Sequence, residues 1–226
     1  MPHGIKIDHN SNFWLTDVAM HQVFKFDFKL SQDPILVMGT AFVNSKDDSH
    51  FCMPADVDLS KSNGDIFVAD GCNERVVRFD ANGTFLRSYE DKISPLIEAH
   101  SVSLINELNL VCTASKNQGR IVCFHLNNGS KKFDLTNVNM NSVFSIRFDS
   151  VNKLLFATGF KDGIEAVGLT FEGDQYNFGR FLQKWNSQGH VSFFYIIITK
   201  KVNYHFTIQI DSLGSYLDTR LITYKK

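Results

Sequence analysis

The chain has 226 residues, 23 Lys and Arg against 24 Asp and Glu, and a formal net charge of −1. That length can bury one sizeable core, and the charge balance gives no electrostatic case for nucleic acid or an anionic membrane as partner. No stretch reaches the roughly 18 apolar residues of a membrane span; the run Phe193-Phe194-Tyr195-Ile196-Ile197-Ile198 has the length of a buried strand.

A phrase then repeats along the chain. Pro2-His3-Gly4-Ile5-Lys6-Ile7-Asp8 leads into Phe13-Trp14-Leu15-Thr16-Asp17 and Val23-Phe24-Lys25-Phe26-Asp27. It returns as Met53-Pro54-Ala55-Asp56-Val57-Asp58-Leu59, Ile66-Phe67-Val68-Ala69-Asp70 and Arg75-Val76-Val77-Arg78-Phe79. A third copy runs Ala99-His100-Ser101-Val102-Ser103-Leu104, Leu110-Val111-Cys112-Thr113-Ala114 and Arg120-Ile121-Val122-Cys123-Phe124. A fainter copy covers 143–149 and 154–158. Asp17, Asp70, Ser115 and Gly159 mark corresponding points, 53, 45 and 44 residues apart. Apolar residues alternate within each run, and Asn and Gly turn signals separate the runs. Strand cores are therefore predicted at 4–8, 13–17, 23–27, 55–59, 66–69, 76–79, 101–104, 110–114 and 120–124. Repeats of this length and content predict an all-β fold, a β-propeller of four-stranded blades. The 21 phenylalanines are assigned to the layers between blades. Residues 191–226 do not continue the pattern, so 1–190 is read as the propeller and 191–226 as a divergent C-terminal segment.

The first repeat begins at residue 2, so no signal peptide is visible. The four cysteines nevertheless fall as one pair per repeat, Cys52 with Cys72 and Cys112 with Cys123. Cys112 and Cys123 flank a tight turn and could face each other across neighbouring strands. An even count so placed suggests two disulfides and an oxidising compartment. Asn82-Gly83-Thr84 and Asn128-Gly129-Ser130 are N-glycosylation sequons at predicted turns. No phosphate loop, dinucleotide fingerprint, Cys-x-x-Cys metal site or Ser-His-Asp grouping is present.

The phrases Pro2-His3-Gly4, Trp14-Leu15-Thr16-Asp17, Phe51-Cys52-Met53-Pro54, Val68-Ala69-Asp70-Gly71-Cys72-Asn73 and Asn117-Gln118-Gly119-Arg120 together resemble the peptidyl-alpha-hydroxyglycine alpha-amidating lyases, also found as the lyase domain of peptidylglycine alpha-amidating monooxygenases. The likeness covers about residues 2–188. It implies a six-bladed NHL-type propeller, relative to which this chain is incomplete, with the family's first blade falling before residue 1. It also implies a secreted or secretory-lumenal protein acting on alpha-hydroxyglycine-extended peptides, which are cleaved to a peptide amide and glyoxylate. Implied cofactors are a zinc held by three histidines and a structural calcium.

Carried onto this chain, the resemblance makes His3 and His100 zinc ligands and places the Ile5 carbonyl on calcium. Cys52–Cys72 and Cys112–Cys123 match the family disulfides. Lys116 stands at a catalytic arginine position and keeps the charge without the planar fork; Ser115 replaces the aspartate before it. The catalytic tyrosine should lie between Gly71 and Cys72, where this chain has no residue. The third histidine should open a Pro-His-Asp-Ile phrase; the nearby candidate is His190 in Gly189-His190-Val191, with His205 a weaker one. His21 is read as structural. Two functions follow: a lyase with impaired activity, or a non-catalytic propeller binding peptides or proteins.

Overall fold

A computed structural model describes residues 1–29, 32–136, 141–151, 153–160, 164–172, 175–177, 183–184, 204–209 and 218–223. The chain divides into two compact units, Met1–Lys184 and Trp185–Lys226. In the second unit β18 (Tyr204–Gln209) and β19 (Asp218–Thr223), numbered in chain order, form an antiparallel hairpin.

The first unit is a run of antiparallel sheets in simple up-and-down order. The first blade holds β1 (Pro2–Ile7), β2 (Phe13–Asp17), β3 (Gln22–Phe26) and β4 (Leu36–Met38). The second holds β5 (Pro54–Leu59), β6 (Ile66–Asp70), β7 (Arg75–Phe79) and β8 (Phe85–Tyr89). The third holds β9 (Ala99–Ile105), β10 (Leu110–Ser115), β11 (Arg120–His125) and β12 (Lys131–Leu135). The fourth holds β13 (Ser142–Asp149), β14 (Leu154–Phe160), β15 (Ile164–Glu172) and β16 (Gln175–Asn177), with β17 (Gln183–Lys184) also on β15. The opening strands β1, β5, β9 and β13 lie successively against one another, as the inner strands of a propeller do.

Alternation within each strand packs the blades together. On β6, Ile66 and Val68 join Trp14, Val23 and Phe51 of the first layer, while Phe67 and Ala69 join Leu104, Val111 and Phe124 of the next. On β11, Val122 and Phe124 face the second blade, whereas Ile121 and Cys123 join Val143, Ile146 and Leu155. A blade buried on both faces therefore reads as a nearly continuous apolar run. Phe51, Phe67, Phe79, Phe124 and Phe133 fill these layers as expected, while Phe28 and Phe42 are exposed.

Polar side chains tie the inner strands into register. Asp56 on β5 accepts from Ser101 Oγ at 2.7 Å and the Val102 N–H at 3.0 Å on β9. Arg147 on β13 grips the same carboxylate with both Nη atoms, at 2.7 and 2.9 Å. Asp58 meets Lys6 Nζ of β1 at 2.7 Å and accepts the Leu104 N–H at 2.8 Å. Ser103 Oγ accepts the Phe148 N–H at 3.0 Å. Every pair of neighbouring inner strands among the four blades is thus bonded through side chains. At Gly4 an added Cβ would lie 2.7 Å from the Ala55 carbonyl oxygen and 2.9 Å from Thr16 Oγ1. The Pro-His-Gly phrase needs its glycine because β1 approaches β5 this closely.

Both disulfides form, and no described cysteine is free. Cys112 and Cys123 are direct cross-strand partners of β10 and β11. Cys52–Cys72 ties the segment before β5 to the 3₁₀ turn Gly71–Asn73 after β6.

Candidate functional site

His3 and His100 occupy corresponding positions of β1 and β9. Pro2, Pro54 and Ala99 pair with Asp17, Asp70 and Ser115, the equivalent ends of the second strands. The next position along each inner strand is His3, Ala55 and His100, and Phe144 follows Val143 in the same way on β13. Histidine therefore stands on alternate blades, and the two rings come together with centroids 4.8 Å apart at an interplanar angle of 81°.

Each ring is held by the next inner strand. His3 Nδ1 lies 2.7 Å from the Ala55 carbonyl oxygen, and His100 Nδ1 lies 2.7 Å from that of Phe144. A carbonyl only accepts, so Nδ1 carries the proton in both rings and the neutral ring's lone pair lies on Nε2. This arrangement, with a fixed tautomer and the other nitrogen as donor, is the one in which histidine binds metals. His100 is only 6 % exposed. Burial, aided by His3 and Lys116, pushes its imidazole down to about 4 against the pull of the Phe144 carbonyl. It is neutral at pH 7, the form a metal requires.

That depressed value carries a stability consequence. Between about pH 6.5 and pH 4 the unfolded chain takes up a proton that folded His100 refuses, so stability falls as pH falls through this window. The expected loss in metal-free protein is about 2–3 kcal/mol between pH 7 and pH 4. Urea titrations across that range should show it, and His100→Asn should flatten the profile. An equal slope in the variant would place the titrating group elsewhere.

Phe144, Lys116 and Glu98 complete the cluster. The Phe144 ring stands 5.4 Å from His100, and Lys116 Nζ lies 5.2 Å from the Phe144 centroid. Lys116 donates to Glu98 Oε1 at 2.6 Å. Neither Glu98 nor Phe144 was singled out by the repeat pattern. Ser115 does locally what an aspartate does one blade earlier: its Oγ accepts the Ile97 N–H at 2.7 Å, as Asp70 Oδ1 accepts the Cys52 N–H at 2.7 Å.

Ile5 lies on β1, opposite Leu15. Among the described residues there is no group of three or more His, Cys, Asp or Glu that could hold a metal. His190 lies outside the described residues, and His205 stands on β18 in the second unit. His21, left-handed at φ 60°, accepts the Met53 N–H on Nδ1 at 3.0 Å, a turn-holding role. Tyr89 is the only tyrosine among the described side chains. It is buried between blades and donates to the Leu126 carbonyl at 2.9 Å. Asn82 and Asn128 are exposed in the turns before β8 and β12.

The NHL repeat family matches residues 51–79, the first three strands of the second blade. A chain of hydrazine synthase from Kuenenia stuttgartiensis superposes with a TM-score of 0.68 over 94 % of this chain and 56 % of its own, at 9 % identity, a likeness of fold alone. The peptidyl-glycine alpha-amidating monooxygenase of Mus musculus is 34 % identical over 225 residues, 95 % of this chain and 21 % of the mouse protein. A probable peptidyl-alpha-hydroxyglycine alpha-amidating lyase of Caenorhabditis elegans is 38 % identical over 179 residues, 74 % of this chain. The chain is a homologue of the amidating lyases. It spans about half the length of the nematode lyase and about a fifth of the mouse protein. Among its described residues no helix is long and apolar enough to cross a membrane.

Proposed function

We propose that this amidating-lyase homologue binds zinc between His3 and His100 and acts, slowly, on peptides ending in alpha-hydroxyglycine, releasing the peptide amide and glyoxylate. One observation carries the reading: two imidazoles from alternate blades, 4.8 Å apart, each with Nδ1 on a carbonyl of the following inner strand. Two imidazole nitrogens so held suit zinc. Bound zinc would act as a Lewis acid on the substrate hydroxyl and lower its pKa. The chain's own residues do the rest. In His3 and His100 the Nδ1–H donates to a backbone carbonyl, which leaves the lone pair on Nε2. Lys116 supplies a positive charge beside the pair for a carboxylate.

The proton acceptor is the weak point. Gly71 is followed directly by Cys72, whose sulfur is bonded to Cys52, so neither a phenol nor a thiolate is offered there. Loss of a positioned base commonly costs about 10²–10⁴ in rate. The disulfides and the two exposed sequons support a secreted or lumenal protein glycosylated on Asn82 and Asn128. The calcium at Ile5 remains a proposal from family resemblance.

The test is zinc stoichiometry by metal analysis, followed by glyoxylate release from an alpha-hydroxyglycine peptide with and without zinc. Expected are one zinc per chain and turnover at least about a hundredfold below a variant with tyrosine inserted after Gly71. Zinc binding with no turnover in either form would favour a peptide-binding propeller. Absence of zinc binding would overturn the reading.

A further inference from the structure

Lys116 and Glu98 meet because of the hairpin that carries His100. Glu98 precedes β9 in the left-handed conformation, φ 60°, and Lys116 follows β10; the Lys116 N–H donates to the Glu98 carbonyl at 3.1 Å. The corresponding residues are Met1 and Val18 in the first blade, joined by the same backbone bond at 3.1 Å, and Met53 and Gly71 in the second. Their side chains carry no charge. In the third blade the two positions are oppositely charged, beside the paired histidines. Both Glu98 oxygens are engaged: Oε1 by Lys116 Nζ at 2.6 Å and Oε2 by Asn117 Nδ2 at 2.8 Å. The two charged side chains are 24 % and 28 % exposed, so packing does not lock them in place.

An ammonium and an amide N–H closing on the two oxygens of one carboxylate form a ready seat for a carboxylate. The occupant here comes from the chain itself. We propose that Glu98 is a specificity-determining residue: it fills the seat Lys116 would otherwise offer a ligand, so an incoming carboxylate must first displace it. The proposal rests on the reading above that ligands enter beside His3 and His100. A partly exposed pair of this kind is only marginally stable, so displacement is feasible. Its cost is a lower apparent affinity for carboxylates, set by the fraction of time the seat stands open. Ligands without a carboxylate at that point are not penalised.

The experiment titrates glyoxylate, by calorimetry, into metal-free and zinc-loaded protein. Glu98→Gln is expected to bind it about five- to tenfold more tightly than the native chain in both forms. Glu98→Ala is a second variant in case the amide keeps a bond to Lys116. Glu98→Gln/Lys116→Met should lose the gain. Circular dichroism melts establish that each variant is folded. Affinity no tighter in either single variant, or a gain that survives removal of the Lys116 charge, overturns the proposal. Failure of the native chain to bind zinc sinks the lyase reading separately, because the metal-free titration still decides the role of Glu98.

Discussion

Asp56→Ala is expected to lower folding stability by about 3 kcal/mol. The carboxylate is buried, and burial alone would raise its pKa. Arg147, Ser101 and the Val102 N–H outweigh that effect and hold it below the usual carboxylate range. With Asp56 these partners join three blades, so removing Asp56 strips the acceptor from two buried donors and from a guanidinium at once. Truncating one side of such a pair commonly costs about 3–5 kcal/mol; the lower figure applies because Arg147 retains some contact with water. Arg147→Met should be comparably harmful by leaving the buried carboxylate without its cation. The double variant should cost far less than the sum, since each single change already breaks the clamp. Urea unfolding at pH 7 measures all three, with a fall in midpoint at unchanged m-value. A loss of about 0.5 kcal/mol or less for Asp56→Ala, the range of an ordinary surface change, would show that the clamp is dispensable.

His100→Ala is expected to weaken zinc binding more than a hundredfold. Losing the hydrogen-bond partner behind a ligating histidine costs roughly 10–100-fold, and losing the ligand itself must exceed that. His3→Ala should behave alike, because the two rings hold equivalent positions and equivalent bonds to the following strand. His21→Ala is the control: it removes the acceptor for the Met53 N–H, and zinc affinity should stay within about twofold. Competition with a chromophoric chelator gives the three affinities. Unchanged binding in His100→Ala would place the metal elsewhere.

Local pattern made much of the blade scaffold legible. Each predicted strand core overlaps an observed strand, with ends displaced by at most two residues; 13–17 is matched at both ends, 101–104 became Ala99–Ile105 and 76–79 became Arg75–Phe79. This works because a strand's alternation is set by its own few residues, and a two-faced blade shows as an unbroken apolar run. The equivalence of His3 and His100 was likewise visible, since the repeat puts like residues at like places. Pairing within repeats two and three placed the cysteines for the same reason. The fourth strands gave no comparable signal. Leu36–Met38 is three residues long, and Lys131–Leu135 opens with two exposed lysines, as suits the outer edge of a sheet.

What the tertiary structure alone decided lies between blades and at the hairpin mouths. Asp56 and Arg147 are 91 residues apart and share no local pattern; they meet because the inner strands of three blades run side by side. Lys116 and Glu98 are 18 residues apart and meet where the hairpin of β9 and β10 opens. Ordinary period-2 reading stops at the strand ends, so it says nothing of charges placed just beyond them. The sequence by itself determined which residues become strands and which positions repeat. The distance between the two imidazoles, the tautomer each adopts and the carboxylate seated on Lys116 depend on how neighbouring blades stack, because those contacts join side chains to backbone groups on strands far away in the chain.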